Sequence, residues 1–335
     1  MSWLSRRSEA LRGKVVVITG ASSGIGRATA VEFARVGCRL VLGARRVSAL
    51  EETAALCRSC GAQTHVVATD VTLDSSLEHL RDEALRRWGC IDVWVNNAGT
   101  TYFARIDEGD LDAHRRVIDT NLIAPFIAAR LVLPVFRRQR AGTMINIGSV
   151  LSQVGQPFVP AYVVSKFGLR GVSDAVRADV ADMPGISVST VLPYTVDTPH
   201  FQDAGNAIGK RAHALPPVQE PEHVARAIVD VAITPRRQLY VPRYVAAGVA
   251  LHWLWPEATE RLLQHALRRF HLVGRQPITD GNLFSPTNDA ATIHGNRRPV
   301  IGRTLFAVWV AGAIVTLGAR WLQTNLSWAG QRSTR

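Results

Sequence analysis

A doubly wound α/β fold, with seven parallel strands in one sheet, helices on both faces and a C-terminal helical extension, is what this chain predicts. Three observations predict it. Over residues 14–242, short apolar runs rich in Val, Ile and Leu recur between longer stretches of helical periodicity. The short runs are apolar throughout and do not alternate with polar residues, as expected of parallel strands buried on both faces. The first of them leads into Thr19-Gly20-Ala21-Ser22-Ser23-Gly24-Ile25-Gly26, a glycine turn between a strand and a helix.

The spacing predicts strands at 15–18, 39–42, 64–68, 92–95, 143–147, 187–191 and 238–241. Helical periodicity fills much of the intervening chain, at 25–36, 73–87, 111–137, 161–181 and 222–233. Strand–helix–strand alternation forces crossover connections, and hence a single covered sheet. This catalytic-size domain spans 13–245, after a short polar segment at 1–12. The pattern then changes. Residues 246–273 are aromatic and then amphipathic, with Leu262, Leu263, Ala266, Leu267 and Phe270 on one face and Arg261, Arg268 and Arg269 on the other. Residues 274–302, rich in Gly, Pro, Asn and Thr, read as an extended linker. A candidate transmembrane helix follows at 303–323, then a short tail at 324–335.

The chain has 335 residues, 47% of them hydrophobic, so a large core is within reach. Its formal net charge of +12 is concentrated in the last third, where it brackets an apolar run. That placement points to a membrane surface and away from nucleic acid, for which aromatic interleaving and any known motif are lacking. The uncharged stretch 304–319 would span about 24 Å as a helix, and about 28 Å if extended to residue 322, against a hydrocarbon core of about 30 Å. It is apolar all round, which favours lipid, although a buried or oligomer-interface helix reads the same way. Arginines on both sides of it leave orientation open. The N-terminus lacks a secretory h-region, and four cysteines (Cys38, Cys57, Cys60, Cys90) make no disulfide framework. A catalytic domain on the cytoplasmic side of a membrane is therefore expected, with no metal site: Cys57 and Cys60 have no second ligand pair.

The glycine run lets backbone approach a phosphate, and the helix it opens offers free N–H groups and a positive dipole end. Gly20, Ser22, Ser23, Gly24, Ile25 and Gly26 are thus expected to hold a dinucleotide pyrophosphate. Cofactor type turns on the end of the second strand. An acid there would bond the adenosine 2′-hydroxyl; this chain has Ala44-Arg45-Arg46 instead. Two guanidiniums suit a 2′-phosphate, so NADP(H) is expected over NAD(H).

Tyr162 and Lys166, four apart, share a helix face, so an ammonium can lie beside a phenol. That arrangement can bring a phenol pKa down from about 10 and make it an acid/base for carbonyl chemistry. Ser149 follows the 143–147 strand, where a doubly wound sheet carries its ligands. Taken alone, Ser149 could be a helix cap, Asn121 a helix-kink residue and Tyr162 a core aromatic.

Together, TGASSGIG at 19–26, Asp70-Val71, Asn96-Asn97-Ala98-Gly99, Asn121, Ser149, Tyr162-x3-Lys166 and Pro193-x-x-Val196-x-Thr198 resemble the short-chain dehydrogenase/reductase family over roughly residues 10–245. The resemblance implies a Rossmann fold that commonly assembles as a homo-oligomer. It implies that Tyr162 protonates a carbonyl oxygen while nicotinamide delivers hydride, and that Lys166 holds the nicotinamide ribose and favours tyrosinate. By the same resemblance Ser149 orients the substrate oxygen, and Asn121 holds a water linking Lys166 to solvent. Asp70 and Val71 would meet adenine, Asn97, Ala98 and Gly99 the adenosine side, and Pro193, Val196 and Thr198 the carboxamide and phosphates. The family usually has Pro-Gly where this chain has Pro193-Tyr194, so Tyr194 is expected to line and reshape the substrate site, with Ser149 and Tyr162. The chemistry expected is an NADP(H)-dependent carbonyl reductase or alcohol dehydrogenase acting on a hydrophobic small molecule. The alternative is a catalytically silent dinucleotide-binding membrane scaffold or redox sensor.

Overall fold

The computed structural model describes residues 7, 9–287 and 292–296, with single positions beyond 301. Seven strands form one parallel sheet: β1 (Val15–Thr19), β2 (Arg39–Ala44), β3 (Thr64–Ala68), β4 (Val93–Asn96), β5 (Gly142–Ile147), β6 (Ile186–Pro193) and β7 (Gln238–Val241), in the order β7-β6-β5-β4-β1-β2-β3. Every neighbouring pair is parallel. The order reverses between β1 and β4, and it is there that a doubly wound sheet leaves a crevice at its carboxyl edge.

The apolar runs are continuous because each strand feeds two cores. Val16 and Ile18 point to one face, where they meet α1 (Gly24–Arg35), α2 (Val47–Ser59) and, from the other end of the chain, a helix at Pro221–Ile233. Val17 points to the opposite face, which is covered by α3 (Asp74–Trp88), helices within 111–139 and the helix Pro160–Asp179. Phe33, Leu40, Leu42 and Ile18 are fully buried in the first layer, and Trp94, Leu77, Phe136 and Met144 in the second.

Three expectations are corrected by packing. The stretch read as one helix over 111–137 is α4 (Leu111–Ile118), a wide π-type turn at Asp119–Ile123, and α5 (Ala124–Gln139). Such turns insert a residue into the helical ladder and often mark functional sites; here the turn holds Asn121. The helical segment read over 246–273 ends at residue 271, where a strand (Leu272–Arg275) takes over, and it comprises two helices and a turn. With α6 (Pro160–Asp179) and α7 (Pro221–Ile233) preceding them, they are α8 (Val245–Leu254) and α9 (Pro256–Ala266), followed by a second wide turn at Leu267–His271. The expected apolar face does pack: Ala266, Leu267 and Phe270 are buried, with Leu263 beside them.

The third correction concerns the linker read at 274–302. Leu272–Arg275 pairs antiparallel with Lys210–Ala212, and residues 279–287 then lie across the catalytic domain, where Leu283 is buried against Tyr102, Val117 and Ala161. Composition marks this stretch as irregular backbone, but irregular backbone can still be docked. The candidate membrane helix at 303–323 and the tail fall almost wholly outside the described residues. Among those described, the continuous stretch 111–139 is apolar and long enough to cross a membrane, yet its α5 part packs in the core against the sheet.

Candidate functional site

All the expected cofactor residues lie at one edge because they follow the carboxyl ends of different strands. β1 leads to the glycine turn, β2 to Arg45 and Arg46, β3 to Asp70 and Val71, β4 to Asn97–Gly99, β5 to Ser149 and β6 to Tyr194–Thr198. They line one cavity of about 580 Å³, within the range of a small-molecule site.

Backbone conformation explains the glycines. Gly20 and Gly24 have φ of +66° and +53°, where a side chain is strained. A Cβ on Gly26 would collide with the Gly20 carbonyl oxygen and the Asn97 amide. Asn97 earns its place structurally: its Nδ2 donates to Thr19 O at 3.0 Å and Gly20 O at 3.1 Å, tying the β4 loop to the turn. Thr19 Oγ1, which sequence reasoning missed, accepts from the backbone N–H groups of Asn97 and Ala98.

The two arginines are placed together, partly exposed and already engaged. Arg45 donates to the carbonyls of Asn282 and Leu283, and Arg46 to that of Thr287 at 3.1 Å. Burial lowers the Arg45 pKa below its ordinary value. The N–H of Gly24, part of the expected phosphate cradle, donates to Thr292 O at 2.9 Å. Residues 279–287 and 292–296, a strap over the cleft, therefore contact it at several of the positions expected to hold coenzyme. His294 fastens its far end, 3.4 Å from Glu220 and 3.1 Å from Glu222. No sequence signal foretold the strap.

Asp70 is also engaged. Burial pushes its carboxyl up, but hydrogen bonds from Thr72 and Arg116 outweigh that and hold it below the usual carboxylate range. Arg116, 2.7 Å from Asp70, was not foreseen, since 46 residues separate the pair.

The catalytic candidates converge. Tyr162 and Lys166 lie one turn apart on α6, which starts at Pro160, a residue pre-set for the first helical position. Lys166 is 4% exposed; its Nζ donates to Ile147 O at 2.8 Å and lies 5.4 Å from the Tyr162 ring centre. Ser149 Oγ accepts from Leu151 N at 3.1 Å, capping a short 3₁₀ turn, and also bonds the Tyr162 hydroxyl. Asn121 sits in the wide turn, where its Oδ1 accepts from Thr100 N at 2.9 Å and its Nδ2 donates to Thr100 O and Ser165 Oγ. Its side chain is thus spent on holding the β4 loop against α6.

One electrostatic expectation is reversed. Lys166 does not bring the phenol down: burial pushes the Tyr162 pKa up to about 12, with the Ser149 hydrogen bond pulling weakly the other way. Burial lowers Lys166 to about 8. The ammonium faces the ring and a carbonyl, and in this buried pair desolvation outweighs the pairing.

Two histidines missed in the sequence complete the cavity. His200 Nε2 is 2.6 Å from Thr101 Oγ1, and its ring lies 5.9 Å from that of Tyr162. Burial, followed by the Lys166 charge, lowers its pKa to about 4, so it is neutral at pH 7. His271 also lines this cavity. Tyr194 also lines it, but as a pillar: it packs with Leu215, Ala266, Leu267 and Phe270, and burial raises its pKa to about 12.

Known proteins share this arrangement. The short chain dehydrogenase profile matches residues 14–208. An uncharacterized oxidoreductase, YxnA, of Bacillus subtilis is 32% identical over 76% of this chain and 72% of its own. The 17-beta-hydroxysteroid dehydrogenase 13 of Rattus norvegicus is 31% identical over 76% of this chain and 83% of its own. Among solved structures, a short chain dehydrogenase/reductase from Burkholderia phymatum in complex with NAD superposes with a TM-score of 0.66 at 26% identity, covering 74% of this chain and 95% of that one. An alcohol dehydrogenase from Thermococcus sibiricus complexed with 5-hydroxy-NADP gives 0.59 at 28% identity, covering 68% and 96%. Since the matched region carries the glycine turn, Ser149, Tyr162 and Lys166 on the same cleft, the chain belongs to the short-chain dehydrogenase/reductase family of nicotinamide-dependent oxidoreductases.

Proposed function

We propose that this protein is an NADP(H)-dependent oxidoreductase that interconverts a carbonyl and a secondary alcohol on an apolar, lipid-like molecule at a membrane surface. The observation that carries this reading is the meeting, in one cavity, of Ser149, Tyr162 and Lys166 with a nucleotide half on one side and an apolar half on the other. Leu215, Val249, Leu251, Leu262, Leu263 and Phe201 line the apolar half.

When bound, the nicotinamide supplies or accepts the hydride. Ser149 holds the substrate oxygen toward Tyr162, and the phenol, kept protonated at neutral pH by burial, gives that oxygen its proton as the carbonyl carbon is reduced. In the oxidative direction the same phenol oxygen takes the proton back. Lys166 would offer its ammonium to the nicotinamide ribose. Arg45 and Arg46 support NADP(H): two guanidiniums stand where the adenosine 2′-phosphate would come, and would exchange the strap's carbonyls for phosphate oxygens.

Trp253, Leu254 and Trp255 at the α8–α9 corner, and Tyr244 at the start of α8, are each more than half exposed. Aromatic residues of this kind suit a membrane interface, in keeping with an anchor at 303–323 and a catalytic domain on the cytoplasmic side. Exposed Ile123, Phe126, Val164 and Phe167 on and beside α5 and α6 support a homo-oligomer. A domain scheme of catalytic unit, amphipathic segment, strap and anchor accommodates all of these.

The test is NADPH oxidation by the purified protein against aldehydes, ketosteroids and long-chain ketones. Tyr162→Phe should abolish turnover while NADP⁺ binding persists. Retained turnover refutes the mechanism, and a preference for NADH refutes the coenzyme assignment.

A further inference from the structure

His200 opens the short helix His200–Asp203, which follows β6. Its imidazole lies deep in the protein, where burial and then the Lys166 charge bring its pKa to about 4 and keep it neutral at pH 7. The residue nevertheless retains some accessible surface. A ring so desolvated owes that surface to the cavity it lines and not to bulk water. One nitrogen is engaged: Nε2 lies 2.6 Å from Oγ1 of Thr101, itself a buried residue. Nδ1 has no hydrogen-bond partner among the described residues, and it is not one of their unpaired atoms closed off from solvent. The second nitrogen is thus within reach of a molecule in the pocket.

The ring stands directly beside the reacting group. Its centre is 5.9 Å from that of Tyr162, with the two planes tilted by 60°. At that separation, a group that meets Nδ1 belongs within a bond or two of the carbonyl held by Ser149 and Tyr162. The Thr101 hydroxyl has no other partner among the described residues, so it can give a proton to Nε2 or take one from it. Nδ1 therefore presents an acceptor or a donor as the ligand requires, and the ring is uncharged in both cases.

We infer that His200 Nδ1 hydrogen-bonds an oxygen carried on the carbon next to the reacting carbonyl, making the preferred substrate an apolar α-hydroxy ketone or vicinal diketone. The assignment rests on the cavity being the substrate pocket. With Ser149 and Tyr162 on one oxygen and His200 on its neighbour, an otherwise featureless apolar ketone cannot turn over in the site. For the hydroxy ketone, hydride from NADPH goes to the carbonyl carbon and the Tyr162 proton to its oxygen. The neighbouring hydroxyl is unchanged, so the product is a vicinal diol. A plain ketone covers Nδ1 and leaves it without a partner, and the site discriminates against that loss. An imidazole that only braced Thr101 would be indifferent to where the substrate carries its second oxygen.

The experiment uses the full chain with NADPH and straight-chain methyl ketones of one length: plain, or hydroxylated next to the carbonyl, one carbon farther along, or at the terminus. kcat/KM should favour the neighbouring hydroxyl over the plain ketone by about tenfold, the worth of one neutral hydrogen bond in a buried site. The other two hydroxyls should gain much less. A neighbouring hydroxyl also activates a ketone electronically, and two variants separate that contribution. His200→Gln places an amide where Nε2 meets Thr101 and nothing at Nδ1; His200→Asn does the reverse. The preference should fall about tenfold in the glutamine variant and stay higher in the asparagine variant, with folding checked by thermal unfolding and NADP⁺ binding. An equal fall in both, the reverse order, or a preference untouched in His200→Gln overturns the His200 assignment. Calorimetry of the wild-type NADP⁺ complex reads binding without turnover: the vicinal diol should bind about tenfold more tightly than the plain alcohol. Equal handling of these probes by the wild type also overturns the His200 assignment and leaves the pocket reading standing. Failure of every probe to bind or react overturns the pocket reading, and the assignment with it.

Discussion

Lys166→Met should stabilise the coenzyme-free protein at neutral pH, even though it removes a residue placed in the catalytic machinery. Burial takes the Lys166 pKa from 10.5 to about 8. A shift of that size corresponds to about 3 kcal/mol of unfavourable free energy for the charged form on folding. The sign follows from proton counts. Below pH 8 the folded and unfolded lysines are both protonated, so the penalty is fully present. Between 8 and 10.5 the unfolded chain binds more protons, and wild-type stability rises with pH. Above 10.5 both are neutral and the penalty is gone. Methionine has a similar length and no charge, but it loses the 2.8 Å bond to Ile147 O, worth about 1 kcal/mol. The variant should then be more stable by about 2 kcal/mol at pH 7 and less stable by about 1 kcal/mol near pH 10.5. Urea unfolding of both proteins across that range, with equal m-values, measures the difference. Two curves that stay parallel would show that the ammonium is not desolvated, and the reasoning would fail.

Two further outcomes can be checked on the same protein. Gly26→Ala should cost about 1–3 kcal/mol and weaken NADP⁺ binding severely, because the new Cβ meets the Gly20 carbonyl and the Asn97 amide; unfolding midpoints and calorimetric titration measure both effects. Leu283→Asp places a charge in the buried anchor of the strap. It should free Arg45 and Arg46 and lower the Kd for NADP⁺ by about tenfold at low salt, whereas weaker binding would show that the strap helps to hold the coenzyme.

The sheet was legible because its signals are local: apolar runs of strand length, and helices whose periodicity matches the layer they cover. All seven strands fall where the spacing predicts them, within a residue or two at their ends. Likewise the glycine turn, Ser149, Tyr162 and Lys166 meet at one edge because a parallel sheet delivers every strand's exit to the same side. The bland readings hold as well: Ser149 does cap a short turn, and Asn121 does occupy a distortion in its helix. A residue can serve local geometry and the site together.

What the sequence determined by itself was thus the class of chemistry and the order of the strands' contributions to it. The tertiary structure alone decided the surroundings of those groups: Arg116 on Asp70, the strap's carbonyls on Arg45 and Arg46, His271 lining the pocket, and a phenol raised rather than lowered. The physical reason is range. Periodicity and turn chemistry act over a few neighbouring residues, but desolvation and long-distance hydrogen bonds depend on which distant segments fill the remaining space, and no short pattern records that.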